Sequence, residues 1–158
     1  MTLLEICFSL LIIGIVFGVA IPFSQEMFKQ HPLEDQAIAF EELVLTAMHE
    51  SRRENYTARI VFEKNAIKLF GQAKRNNLED IEAPTTVLDE ILIPGGSKYE
   101  LQMWPNFEWS KPNDSGWNIP NNGLILPLNI KWTLDDSWLA ASVDPMTGEL
   151  KDITYELN

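Results

Sequence analysis

Between Ile6 and Gln25 the chain carries no Asp, Glu, Lys, Arg or His, and its side chains there are apolar apart from Ser9, Ser24 and Gln25. At ~1.5 Å per residue, roughly 20 helical residues span the ~30 Å hydrocarbon core of a bilayer. The stretch can therefore cross a membrane. One charged side chain, Glu5, stands at its head. A carboxylate at the end of such a run costs a few kcal/mol in lipid and normally has a partner or a function. The first Lys or Arg is Lys29, so the nearest positive charge is the amino group of Met1, about one helical turn away on the same chain or on a neighbouring copy. Two readings stay open. Glu5 either faces headgroups in a first helical turn, where the helix dipole favours negative charge, or it makes a specific contact.

Composition narrows the options for the rest of the chain. With 158 residues, 46% of them hydrophobic, there is room for the apolar segment and one globular domain. Twelve Lys and Arg against 23 Asp and Glu give a net charge of -11, which repels phosphate backbones, so no nucleic-acid partner is expected. The single cysteine, Cys7, lies inside the apolar run and reads as a small apolar residue. The remainder can form no disulfide and no cysteine-based metal site. Two histidines, no HExxH, no G-x-S-x-G and no glycine-rich phosphate loop leave catalysis without its usual parts, and no enzyme is expected. Glu41 and Glu42 are adjacent on a helix and point in different directions, so they make no shared site.

The start of the chain lacks the cationic region of a secretory signal, and the apolar run continues into the body of the protein. A removed leader would have been cut before that run, as prepilin signals are. Thr2, Leu3, Leu4, Glu5, Gly14 and Ile21-Pro22 resemble the start of a mature type IV pilin or type II secretion pseudopilin. The resemblance implies a structural subunit assembled through its apolar helix, with Glu5 pairing with the Met1 amine of an adjacent subunit and the helix bending near Pro22. It also implies N-terminal methylation at Met1, where the family usually has Phe. The partners implied are other pilins or pseudopilins, the inner membrane and assembly platform, and a prepilin peptidase. A single-pass inner-membrane position with the C-terminal domain in the periplasm goes with them.

Beyond Pro22 the sequence turns polar, and Pro22 and Pro32 should each kink or loosen the helix. From Leu33 to Ser51, Leu33, Ala37, Phe40, Val44, Ala47 and Met48 recur at helical spacing, with Glu34, Asp35, Glu41, Glu42, Glu50 and Arg53 between them. This predicts an amphipathic helix lying on a sheet. His49, beside that face, reads as solvated rather than as a ligand. Thr57–Phe62 and Ile67–Phe70 read as a hairpin, Val87–Ile93 as an apolar piece ending at Pro94-Gly95-Gly96, and Tyr99–Met103 as a strand. Residues 104–122, with Pro105, Pro112 and Pro120, read as an extended loop. In it Trp104, Phe107, Trp109 and Trp117 either form a stacking surface or, the better reading, tuck under the loop to cover the sheet. Asn55-Tyr56-Thr57 and Asn113-Asp114-Ser115 match the glycosylation sequon only as short motifs. Leu124–Leu134, Trp138–Val143 and Leu150–Leu157 read as strands, with a tight turn at Asp144–Gly148 that uses Pro145 and a positive φ at Gly148.

The expected organisation is a transmembrane or filament-core segment over 1–25, its amphipathic continuation over 26–55 and a β-rich globular domain over 56–158. The expected fold is α+β, a long N-terminal helix on an antiparallel sheet of about six strands. The helix-to-hairpin pattern with Arg52 and Arg53 before the first strand is similar, more loosely, to minor pseudopilins of the GspH and FimT type. Asp135, Asp136 and Asp144 are candidate calcium ligands, but their spacing fits no dense calcium loop and suits turns equally well, so no cofactor is expected. The competing functional reading is a tip-located module that binds an exported protein, a sugar or DNA.

Overall fold

The computed structural model describes residues 8, 11–13, 32–72 and 85–157. The expectations placed on Met1, Glu5, Cys7, Gly14, Pro22 and the junction at 26–31 lie outside those residues. The chain divides into two compact units, Met1–His31 and Pro32–Asn158. In the first, Phe8 and Leu11–Ile13 are helical.

The second unit opens with helix α1 (Pro32–Glu54). Pro32 sits where a missing N–H costs nothing. Glu34 and Asp35 in the first turn and Arg52 and Arg53 in the last complement the helix dipole. The residues buried along one face are Leu33, Gln36, Ala37, Phe40, Leu43, Val44, Ala47, Met48 and Ser51, the stripe expected from the sequence. The helix stops at Asn55, which adopts a left-handed conformation with φ 53°. The Tyr56 N–H then bonds back to the Ser51 carbonyl at 3.2 Å, closing the end in a Schellman arrangement. The buried Ser51 hydroxyl lies 2.7 Å from the Tyr56 carbonyl and 3.0 Å from that of Ile119, which ties the helix end to the sheet.

Eight strands follow among the described residues: β1 (Ala58–Glu63), β2 (Ala66–Gln72), β3 (Thr85–Leu92), β4 (Ser97–Met103), β5 (Ser115–Ile119), β6 (Leu128–Leu134), β7 (Ser137–Val143) and β8 (Leu150–Glu156). They form two four-stranded sheets, ordered β3-β2-β1-β5 and β4-β6-β7-β8. Every neighbouring pair is antiparallel. The expectation of one sheet with about six strands is thus corrected on both counts. The apolar piece at Val87 is a full strand, and residues 115–119, expected to be loop, pair with β1 from Phe62↔Ser115 to Ala58↔Ile119. Between Pro112 and Pro120 only Trp117 and Ile119 are apolar, too short a run to announce a strand. The expected strand at Leu124–Leu134 begins only at Leu128, because Pro127 has no N–H to give a ladder.

Helix α1 packs against β1, β2 and β3 of the first sheet and β6 and β7 of the second, as well as β5. Phe40 is the point where the three layers meet. Its ring lies 6.3 Å from that of Phe62 on β1 and 5.8 Å, edge-on, from that of Trp132 on β6, and all three are fully buried. Phe62 in turn lies 6.5 Å from Tyr99 on β4. Edge-to-face and tilted pairs of this kind add to the burial of their area. Replacing Phe40 by Ala should cost about 3–5 kcal/mol, the usual loss for a buried Phe that leaves a cavity. Urea denaturation of the wild-type and variant chains measures it, and a loss no larger than that of an exposed substitution would show that the three layers do not depend on this ring.

Candidate functional site

The residues expected to carry function fall into three groups. Those at the chain start, Met1, Glu5 and Pro22, lie outside the described residues, but the apolar run is represented by Phe8, Leu11, Ile12 and Ile13. Their side chains are exposed, at 62%, 59%, 56% and 50%. Positions 8, 11 and 12 share one helical face. Four large apolar side chains in water at these helical positions are an unfavourable arrangement for a chain standing alone. Among the described residues no helix is long and apolar enough to cross a membrane.

The second group is the aromatic set. The structure separates it. Trp117, on β5, is 3% exposed and its indole N–H bonds to the Leu126 carbonyl at 3.1 Å, so it belongs to the core. Trp104, Phe107 and Trp109 are exposed at 55%, 67% and 43%. The loop that carries them folds back on β4: Leu101 and Ser110 exchange two backbone hydrogen bonds of 2.8 Å, and the Gln102 side chain donates to the Phe107 carbonyl. Covering the sheet is therefore true of Trp117 and not of the other three.

The third group is acidic. Asp135 and Asp136 sit in the β6–β7 turn, Asp135 with φ 51°, and Asp144 sits in the β7–β8 turn. The seven residues of β7 separate the two turns, about 20 Å at ~3.3 Å per residue, so the carboxylates do not converge. Among the described residues no group of three His, Cys, Asp or Glu side chains could hold a metal ion. Asp144 instead builds its own turn. Its Oδ1 accepts the N–H groups of Met146 at 2.8 Å and Thr147 at 2.9 Å, and its Oδ2 accepts the Lys151 ammonium at 2.5 Å. The Lys151 hydrogen bond first, then those from Thr147 and Met146, hold the Asp144 carboxyl well below its usual range. Gly148 completes the turn with φ 80°, as the sequence led us to expect, and it has no room for a Cβ, which would lie 2.5 Å from the Met48 sulfur of α1. Glu41 of α1 accepts the Leu150 N–H at 3.1 Å. The acidic residues of this region thus fix the turn to the helix.

His49 is exposed, beside Arg52 and Arg53 at the end of α1. Sequence reading did not group Lys64, Lys98 and Lys111, which the fold brings to one cavity. They lie far apart in the chain: the Leu101–Ser110 bridge sets Lys111 beside β4, and the Tyr99 hydroxyl, donating to the Glu63 carbonyl, holds the β1–β2 turn with Lys64 against it.

A helix laid over two antiparallel sheets makes the domain over Pro32–Asn158 an α+β fold. No protein-family model and no curated protein matches the sequence. Among solved structures, the fold is similar to that of the minor pseudopilin EpsH from the type 2 secretion system of Vibrio cholerae, with a TM-score of 0.52 over 77% of this chain and 95% of that one. Sequence identity is 9%, so the likeness is one of fold.

Because the folded state keeps Asp144 ionised, the stability that this carboxylate contributes is complete above its ordinary value of 3.8 and is lost as the pH falls below it. Thermal melts between about pH 6 and about pH 3 should show the wild type losing more stability than Asp144→Asn. Equal losses in the two proteins would mean that the turn network does not govern the acid limb.

Proposed function

We propose that this chain is a non-enzymatic structural subunit of the pilin-like class, a minor pseudopilin of a type II secretion pseudopilus or the equivalent subunit of a type IV pilus. The observation that carries the reading is the exposed apolar helical segment at Phe8 and Leu11–Ile13, joined in one chain to a domain whose fold is similar to that of EpsH. Apolar side chains of that size need lipid before assembly and neighbouring helices after it. In this reading the segment is a long N-terminal helix that anchors the subunit in the bacterial inner membrane, with the domain in the periplasm, and then packs in the filament core. Glu5 meets the Met1 amine of an adjacent subunit and sets the axial register. Burying either charge alone would be costly, so the pair contributes specificity more than net stability. Pro22 supplies the bend, Met1 the methylation site, and a prepilin peptidase and the assembly platform are the processing partners. Within the class we read the member as one of the GspH and FimT type, on the helix-to-hairpin pattern with Arg52 and Arg53 before the first strand.

Exposed Trp104, Phe107 and Trp109 favour a second role for the same subunit, as a tip that holds an exported protein or a sugar. Replacing all three by Ser should leave incorporation into the filament intact and reduce substrate export, measured as secreted protein per cell. Normal export by that variant would remove the tip reading.

The assembly reading is tested at Glu5. Glu5→Gln should insert in membranes as the wild type does and fail to co-purify with the other pseudopilins after mild crosslinking. A Glu5→Gln subunit that is recovered in assemblies at wild-type yield would refute the register role.

A further inference from the structure

Lys64, Lys98 and Lys111 line one cavity of about 600 Å³, together with Asn65 of the β1–β2 turn, Ser97 of β4 and Thr133 of β6. That volume falls in the range of about 300–1,000 Å³ that small-molecule sites occupy. Among the described residues Arg53, Lys68 and Lys151 form ion pairs, whereas these three lysines form none. Glu100 is the one carboxylate in the lining among the described residues, so three ammonium groups stand against a single negative charge. The grouping runs against the chain's net charge of -11. A concave surface lined by one sign of charge focuses its field and concentrates counter-ions.

Fixed contacts hold the walls of the cavity. The Leu101 and Ser110 backbones exchange two hydrogen bonds of 2.8 Å, which sets Lys111 beside β4. The Tyr99 hydroxyl donates to the Glu63 carbonyl and the Ile93 N–H to the Asn65 carbonyl at 2.9 Å, so the turn is held by the carbonyls on either side of Lys64. The Ser97 hydroxyl accepts the Gln36 side-chain amide at 2.9 Å and keeps its own proton to donate. Main-chain recognition is closed here: the Ser97 N–H already bonds to the Pro94 carbonyl at 3.1 Å, and Tyr99 is 2% exposed. A ligand must therefore be read by side chains.

We propose that this cavity binds a small multivalent anion, one bearing two or more phosphate or carboxylate groups, through Lys64, Lys98 and Lys111. Each ammonium is a separate point charge on a flexible stem, carried by a different part of the chain. Three such charges answer negative charge spread over more than one group. Size follows from screening. With a Debye length of about 8 Å at physiological salt, an anion seated in the cavity is governed by the lysines around it, whereas a long polyanion also meets the acidic remainder of the surface. The inference does not depend on the filament reading, and its failure would leave that reading untouched.

The test is equilibrium dialysis of the full chain in neutral detergent, at neutral pH and low ionic strength, with labelled pyrophosphate in one arm and labelled citrate in the other. Saturable binding is expected in at least one arm, and the arm that binds more tightly tells phosphate from carboxylate as the source. Lys98→Gln/Lys111→Gln should weaken binding by about tenfold or more, and Lys98→Glu/Lys111→Glu should abolish it. Arg52→Gln/Arg53→Gln removes the same charge outside the cavity and should bind as the wild type does. Orthophosphate and acetate, each with a single anionic group, should compete at least about tenfold more weakly than the multivalent anions. Far-UV circular dichroism confirms that these exposed-site variants fold. Absence of saturable binding in both arms, unchanged affinity in the charge-reversed variant, an equal loss in Arg52→Gln/Arg53→Gln, or displacement by orthophosphate or acetate at the ligand's own concentration would each overturn the proposal.

Discussion

The contact of Phe40 with Phe62 and Trp132 decides the shape of this domain. Neither sheet alone offers the helix a complete apolar surface. The first supplies Ile60, Phe62, Ile67 and Leu69, the second Leu128, Ile130, Trp132 and Leu139, and all are nearly inaccessible to water. A helix that served one sheet would leave the other's inner face wet, at about 25 cal/mol for each Å² of apolar surface not buried. By placing one aromatic ring against both sheets, α1 makes a single core of two layers that share no strand pairing.

The helix is held at its far end by polar devices that the apolar core cannot provide. Ser51 reaches the carbonyl of Ile119, and Asn55 takes the left-handed corner that lets Tyr56 cap the last turn. Farther up, Glu41 and Met48 fit the β7–β8 turn against the helix. A buried stripe fixes which face of a helix is covered but tolerates sliding along the axis. These contacts remove that freedom, and with it the choice of where the exposed side of α1 points.

Much of this was legible beforehand, and the misses have physical causes. The α1 stripe was readable because Leu33, Ala37, Phe40, Val44, Ala47 and Met48 keep helical spacing without interruption, and the Asp144–Gly148 turn because Pro145 and Gly148 each impose a backbone angle. β5 was missed because Pro112, Pro120 and the asparagines around Trp117 carry a strong loop signal, and the pairing that overrides it comes from β1, more than fifty residues away. The division into two sheets was not readable, since apolar alternation marks a strand without naming its neighbour. On the surface, the exposure of Trp104, Phe107 and Trp109 beside a buried Trp117 goes with the Leu101–Ser110 bridge that folds their loop back on β4. The nearness of Lys111 to Lys98 depends on that same bridge, and that of Lys64 on the contact of Tyr99 with the Glu63 carbonyl.

The order in which the strands are used has a consequence for how the domain reaches its native state. The first sheet takes β1, β2, β3 and β5, and the second takes β4, β6, β7 and β8, so the two are interleaved in the sequence. No prefix of the chain contains the first sheet without also containing a strand of the second. β4, once synthesised, has its sheet partner only after β6 emerges. Closing such separated pairs before their reward arrives makes folding slow and all-or-none. The domain is therefore one cooperative unit that cannot be trimmed to a stable half, and a nascent chain must hold β4 without its sheet partner until β6 is made.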